Sequence, residues 1–165
     1  MRQIGQLAGR KGTPLLDSVA RSASRILRAP VALITVIDDT SEEQVFCGMR
    51  GSVGAFTPRR ATPLSHSMCR TVRDMNAVLR VEDTRRAPRF RDNAAVGELD
   101  VIAYLGVPLV MPSTGPVGAF CVIDREPRAW SDGDVETLDA LVPVAVEALL
   151  VAPFCRKAER RVLMA

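Results

Sequence analysis

Four cysteines, one histidine and an arginine-rich central stretch are the residues of this sequence whose types could do chemistry. Cys47, Cys69, Cys121 and Cys155 are spaced 22, 52 and 34 residues apart, with no Cys-x-x-Cys pair and no Cys/His cluster. A zinc centre needs several soft ligands close together, so no metal is expected. His66 is the only histidine. It reads as a residue at a helix start, with haem ligand or general base as the alternative. Cys69 precedes Arg70 and Arg73, and a helix start beside two cations would lower its thiol pKa toward redox reactivity. The competing reading is a small side chain kept for packing. Cys121 alternates with Phe120 in an apolar run and reads as a buried hydrophobe.

The carboxylates assemble no acid–base pair. Asp38-Asp39 is turn material, Glu42-Glu43 follows it on the surface, and Asp132 and Asp134 suit a helix start. Glycine-rich phosphate loops of the GxGxxG or GxxxxGK[ST] type are absent. No nucleophile, base and oxyanion donor come together, so no catalytic set is visible.

Charge is distributed unevenly. Residues 59–91 hold nine Arg against Asp74, Glu82 and Asp83, a local charge of +6 in a chain of net +3. Such a stretch is either a solvated loop face or a site for an anionic partner, since guanidinium offers a planar fork to phosphate or carboxylate. Arg89 is the residue expected to meet an anionic ligand, with a structural pairing to Asp83 as the rival role. Aromatic interleaving and a helix-turn-helix pattern are both missing, which excludes nucleic acid from the expected partners.

The frame for these residues is one domain. The chain has 165 residues, 47% of them apolar and 25% charged, enough to build a core without staples. No stretch reaches the ~18 uncharged apolar residues of a membrane helix, and the N-terminus lacks a signal-peptide core. A cytoplasmic chain with reduced thiols is expected.

The pattern predicts a helix over ~14–28, a central strand over Val31–Ile37 and a returning strand over Gln44–Met49. Residues 51–64 read as a loop. Ser65 reads as the N-cap of a short helix from His66 to ~Asp74, followed by a short strand over Ala77–Val81. Glu82–Val96 reads as an arginine-rich loop with one helical turn. Val101–Leu109 and Pro116–Ile123 form a second hairpin, in which Gly106 and Gly118 suggest a bulge or a close approach to the backbone. Pro108 should disturb pairing there. Ser131 and Asp134 resemble a capping box opening a last helix that contains Pro143. The expected class is α+β, with a 1–13 extension, a domain over 14–152 and a 153–165 tail or linker.

Over residues ~14–150 the sequence resembles the GAF family of small-molecule-sensing domains. The motifs are Val81, Asp83 and Pro88-Arg89-Phe90; Tyr104, Gly106, Pro108 and Leu109; Gly118, Cys121, Val122, Ile123 and Asp124 closed by Pro127-Arg128; and Ser67-Met68-Cys69. The resemblance implies a PAS-like fold, a central antiparallel sheet of about six strands. Its terminal helices would lie on one face and a ligand pocket on the other. Ile102 and Ala103 stand where the subgroup often has Arg-Phe, and Ala87 replaces its usual acidic residue.

The subgroup it is similar to sits beside histidine kinases, diguanylate cyclases and serine phosphatases, including two-component systems. The implied role is a sensor that binds a small molecule, or a dimerisation module, controlling such an output as a homodimer through its first and last helices. The implied pocket is closed by the 65–74 helix and the 82–100 loop. Its residues would be His66, Cys69, Asp83, Arg89, Phe90, Tyr104 and Cys121. No haem or bilin is expected, because Cys69-Arg70 lacks the cysteine–histidine pair of bilin-binding members. The alternative is the branch that reduces free methionine-R-sulfoxide, for which Cys47, Cys69 and Cys121 would have to converge.

Overall fold

The computed structural model describes residues 13–152. Cys155 and the 153–165 tail lie outside the described residues, as do residues 1–12. Chain order gives α1 (Pro14–Leu27), β1 (Val31–Asp38), β2 (Glu43–Arg50), β3 (Ala61–Pro63), α2 (Cys69–Met75), β4 (Leu79–Val81), α3 (Ala94–Leu99), β5 (Ala103–Met111), β6 (Gly115–Asp124) and α4 (Asp132–Val151). All neighbouring strands are antiparallel, in the order β3-β2-β1-β6-β5-β4. This is the α+β arrangement the sequence implied.

Strand alternation sorts the core into two layers. Ala32 and Ile34 of β1, Leu105 and Val107 of β5, and Phe120 and Val122 of β6 meet α1 and α4. Val31 and Leu33, Tyr104, and Cys121 and Ile123 face the other way, against α2 and the loops around it. Burying both faces is why β1 is apolar throughout. The helices begin where their caps dictate. Thr13 accepts from Leu16 N–H with Pro14 in the first turn, and Ser131 and Asp134 form a reciprocal capping box. Helix α4 continues through Pro143. The carbonyl left without a donor belongs to Asp139, and both residues are exposed, so water can satisfy it.

Several boundaries differ from the sequence reading. Residues 51–64 include β3, whose three residues pair with Glu43–Val45. Ser65 caps nothing. Leu64–His66 form a separate 3-10 turn, and α2 starts at Cys69, where Arg70 N–H donates to Ser67 Oγ. The 82–96 segment holds a turn at Thr84–Arg86 and the start of α3, capped by Asn93 accepting from Ala95 N–H. Strand β4 begins at Leu79 instead of Ala77. Pro108 stays in register with Ala119. It lies beyond Gly106, the last β5 residue that pairs with β4, so the missing N–H costs no bond on that edge. The register breaks instead at Leu109/Val110 and at Ile34/Thr35.

Candidate functional site

Three elements bring polar atoms together beneath the sheet face opposite α1 and α4. Tyr104 comes from β5, Cys121 from β6, and Cys69 is the first residue of α2. Cys69 Sγ lies 3.0 Å from Tyr104 Oη and 3.6 Å from Cys121 Sγ. All three residues are buried. The cavity beside them measures about 20 Å³, room for one water-sized molecule. His66 is its only lining residue that is not buried.

Gly106 explains how little space is left. A Cβ at that position would lie 2.5 Å from Tyr104 Oη, so the glycine accommodates the phenol two residues back on its own strand. Gly118 serves a backbone contact, with its missing Cβ 1.9 Å from the Thr35 carbonyl oxygen. Gly106 sits in regular register, whereas Gly118 borders the register break opposite Leu109/Val110.

Burial raises the pKa of each buried acid, and the hydrogen bonds then divide them. For Cys69 the desolvation is outweighed by hydrogen bonds from Cys121, Thr35 and Tyr104, which hold its thiol below the usual value. For Cys121, burial and the neighbouring Cys69 push the thiol well up. Tyr104 is raised well above the ordinary phenol range by burial and by the two cysteines. Cys69 is thus the more acidic of the two thiols, in contact with both the Cys121 sulfur and the Tyr104 hydroxyl.

The start of α2 is fixed by a polar chain that sequence reasoning missed. Ser67 Oγ donates to Gln44 Oε1 at 2.5 Å, Gln44 Nε2 donates to Thr62 Oγ1 at 3.3 Å, and Asn93 Nδ2 donates to Ser67 O at 3.3 Å. Gln44 lines the cavity. Its only sequence signal is a buried-strand setting for a polar residue. His66 is satisfied in place, with Nε2 2.5 Å from Glu98 Oε2, Nδ1 3.0 Å from Ser65 Oγ and the ring edge-on to Phe56.

Asp83, Arg89 and Phe90 lie elsewhere, along an open groove of about 740 Å³ between β4, the following loop and residues 127–129. Phe90 is buried in the same apolar cluster as Tyr104 and Cys69 while also lining the groove. The expected Asp83–Arg89 pair is not formed. Asp83 caps the Thr84–Arg86 turn, and its carboxylate takes the Arg85 guanidinium at 2.9 and 2.8 Å. That contact holds the Asp83 carboxyl below its usual range. Arg89 Nη1 instead lies 3.3 Å from Met75 Sδ, with its guanidinium 5.6 Å from the Phe90 ring centre.

Seven of the nine arginines in residues 59–91 reach a carboxylate within 4.0 Å. Arg86 and Arg89 have no such partner among the described residues, and both line the groove. The groove thus holds two guanidinium groups outside any close ion pair, beside the Glu82 and Asp83 carboxylates, the second of which Arg86 also acts on at longer range. The three-cysteine convergence is not formed. Cys47 packs in the layer facing α1 and α4, across the sheet from Cys69 and Cys121. No group of three or more metal-ligating side chains occurs among the described residues.

The model of the GAF domain family matches residues 13–149. A cyclic di-GMP phosphodiesterase of Pseudomonas aeruginosa is 35% identical over 127 residues, which span 76% of this chain and 20% of that protein. The chain is thus similar to about one fifth of that relative's length. Among solved structures, the GAF domain of an Acinetobacter phosphoenolpyruvate-protein phosphotransferase superposes with a TM-score of 0.60 at 20% identity, covering 91% of this chain and 92% of that one. Free methionine-R-sulfoxide reductase from Neisseria meningitidis gives 0.65 at 16% identity, covering 94% and 87%. At these identities the superpositions concern the fold.

Proposed function

The chain belongs to the GAF domain family, and from that premise we propose that it is a sensory and regulatory module of bacterial signal transduction acting in the cytoplasm. The observation that carries the proposal is the 35% identity to a segment of a cyclic di-GMP phosphodiesterase five times its matched length. Turnover of a nucleotide second messenger is accordingly the output class. In this reading α1 and α4 form the output face. They pack together on one side of the sheet, and Leu15, Ile26, Val144 and Val151 are exposed there. Apolar residues left open on paired helices suit a homodimer, with a shift in that contact relayed to an adjoining domain.

The input belongs in the outer groove, not in the inner cavity. A space of about 20 Å³ excludes any metabolite unless side chains move. The groove is wide enough, and Arg86 and Arg89 select an anionic small molecule. No helix among the described residues is long and apolar enough to cross a membrane.

A chimera tests the regulatory reading. Residues 14–152 replace the matched segment of the Pseudomonas aeruginosa relative, and cyclic di-GMP hydrolysis is measured. Hydrolysis that changes when Ile26→Glu is introduced into the module supports the proposal. Equal hydrolysis with the module intact, altered or deleted contradicts it.

A further inference from the structure

We propose that Cys69 and Cys121 form a peroxide-reactive dithiol, which hydrogen peroxide converts to an intramolecular disulfide. The inference does not depend on the regulatory reading. Its basis is a juxtaposition: two thiols 52 residues apart in sequence meet with sulfurs 3.6 Å apart, one on the first residue of α2 and one in the middle of β6. A disulfide needs about 2.05 Å between sulfurs, so an approach of about 1.5 Å closes the bond. The moving partner is a helix of seven residues.

The cavity supplies the access. Cys69, Cys121 and Tyr104 all line it, and His66 is the half-buried residue of its wall. A volume of about 20 Å³ holds a water-sized molecule, and a peroxide of two oxygens is the oxidant class that calls for the least further opening. Tyr104 Oη, 3.0 Å from Cys69 Sγ, is placed to donate to a thiolate there. The hydrogen bonds that hold Cys69 below the ordinary thiol range, while Cys121 is raised, assign Cys69 as the attacking sulfur.

The chemistry balances in two steps. Cys69 gives up its thiol proton, the thiolate attacks one peroxide oxygen, the O–O bond breaks, and the departing hydroxide takes up the proton that Cys69 released and leaves as water. Cys69 is now a sulfenic acid. The Cys121 sulfur then attacks the Cys69 sulfur, the S–S bond forms, the S–O bond breaks and a second water leaves with the Cys121 proton. Two thiols are oxidised and one peroxide is reduced to two waters. A small thiol reductant reverses the change by exchange.

The full chain contains its own comparison, because Cys47 lies on the opposite face of the sheet. After treatment with equimolar hydrogen peroxide, the protein is denatured, alkylated and mapped by peptide mass. The expected result is loss of two of the four alkylatable thiols, a Cys69–Cys121 linked peptide that dithiothreitol separates, and loss of Cys69 about tenfold faster than Cys47. In Cys121→Ser the reaction should stop at a Cys69 sulfenic acid that dimedone labels. Retention of all four thiols overturns the proposal, as does a bridge through Cys47 or Cys155. The wild-type map decides the matter even where a cysteine variant folds poorly.

Discussion

Gly106 lies against Tyr104, so close that a Cβ on residue 106 would come within 2.5 Å of the phenol oxygen. The strand has given up a side chain to seat a tyrosine that fills the space beneath the sheet. The ring is buried and held to Cys69, so it has nowhere easy to move. Gly106→Ala should cost about 1–3 kcal/mol by overpacking. Tyr104→Ala should cost about 3–5 kcal/mol and leave a cavity. The double variant should be less destabilised than the sum, because removing the ring removes the clash. Denaturant unfolding of the four proteins checks this, and strict additivity would show that Gly106 answers to something else.

Gly118 is the more severe position. Its missing Cβ would lie 1.9 Å from a backbone oxygen, that of Thr35, and neighbouring strands cannot part without breaking the β1–β6 pairing. Gly118→Ala should cost more than about 3 kcal/mol. A melting temperature within about 3 °C of wild type would refute the contact.

Acid stability should depend on Arg73. Its guanidinium donates to both Asp39 oxygens, at 2.7 and 3.0 Å, and holds that carboxyl below its usual range. The charged form is favoured in the fold, so this stabilisation is present above about pH 4, the ordinary value for Asp, and is lost as pH falls through the depressed folded value. Arg73→Gln should move the acid-unfolding midpoint to higher pH, followed by circular dichroism. An unchanged midpoint would contradict the assignment.

Inorganic phosphate at constant ionic strength should raise the melting temperature of the wild-type chain. At ten times Kd the expected gain is about 1.4 kcal/mol, a rise of about 3–6 °C. Arg86→Ala and Arg89→Ala should each reduce the rise and leave the phosphate-free melting temperature nearly unchanged, since Asp83 is held by Arg85 and neither Arg86 nor Arg89 makes an ion pair within 4.0 Å among the described residues. A rise that survives both substitutions would place the anion outside the groove.

The long elements were legible because their signals are local. The apolar runs of β1, β5 and β6, buried on both faces, and the Ser131–Asp134 box can be seen from residue types and spacing, whereas the Thr13 cap was not read. Strand β3 was not legible, because three residues carry no period and pair only through partners on β2. The site was half legible. Cys69, Tyr104 and Cys121 could be singled out, but their meeting depends on the antiparallel register of β5 and β6. The Asp83–Arg85 contact replaced the expected Asp83–Arg89 pair because a capping carboxylate reaches two residues ahead more readily than six. Gln44 carried only the signal of a polar residue in a buried strand, since strand position alone does not say which buried polar group faces a cavity.

The claim on which the regulatory account turns is that α1 and α4 present a shared contact face. Sedimentation velocity of the wild-type chain and of Ile26→Glu at high micromolar concentration tests it most directly. The account predicts a dimer of twice the 17.9 kDa chain for wild type and a folded monomer for Ile26→Glu, whose side chain is 60% exposed and outside the core. A wild-type monomer, or a dimer that Ile26→Glu leaves intact, would contradict it.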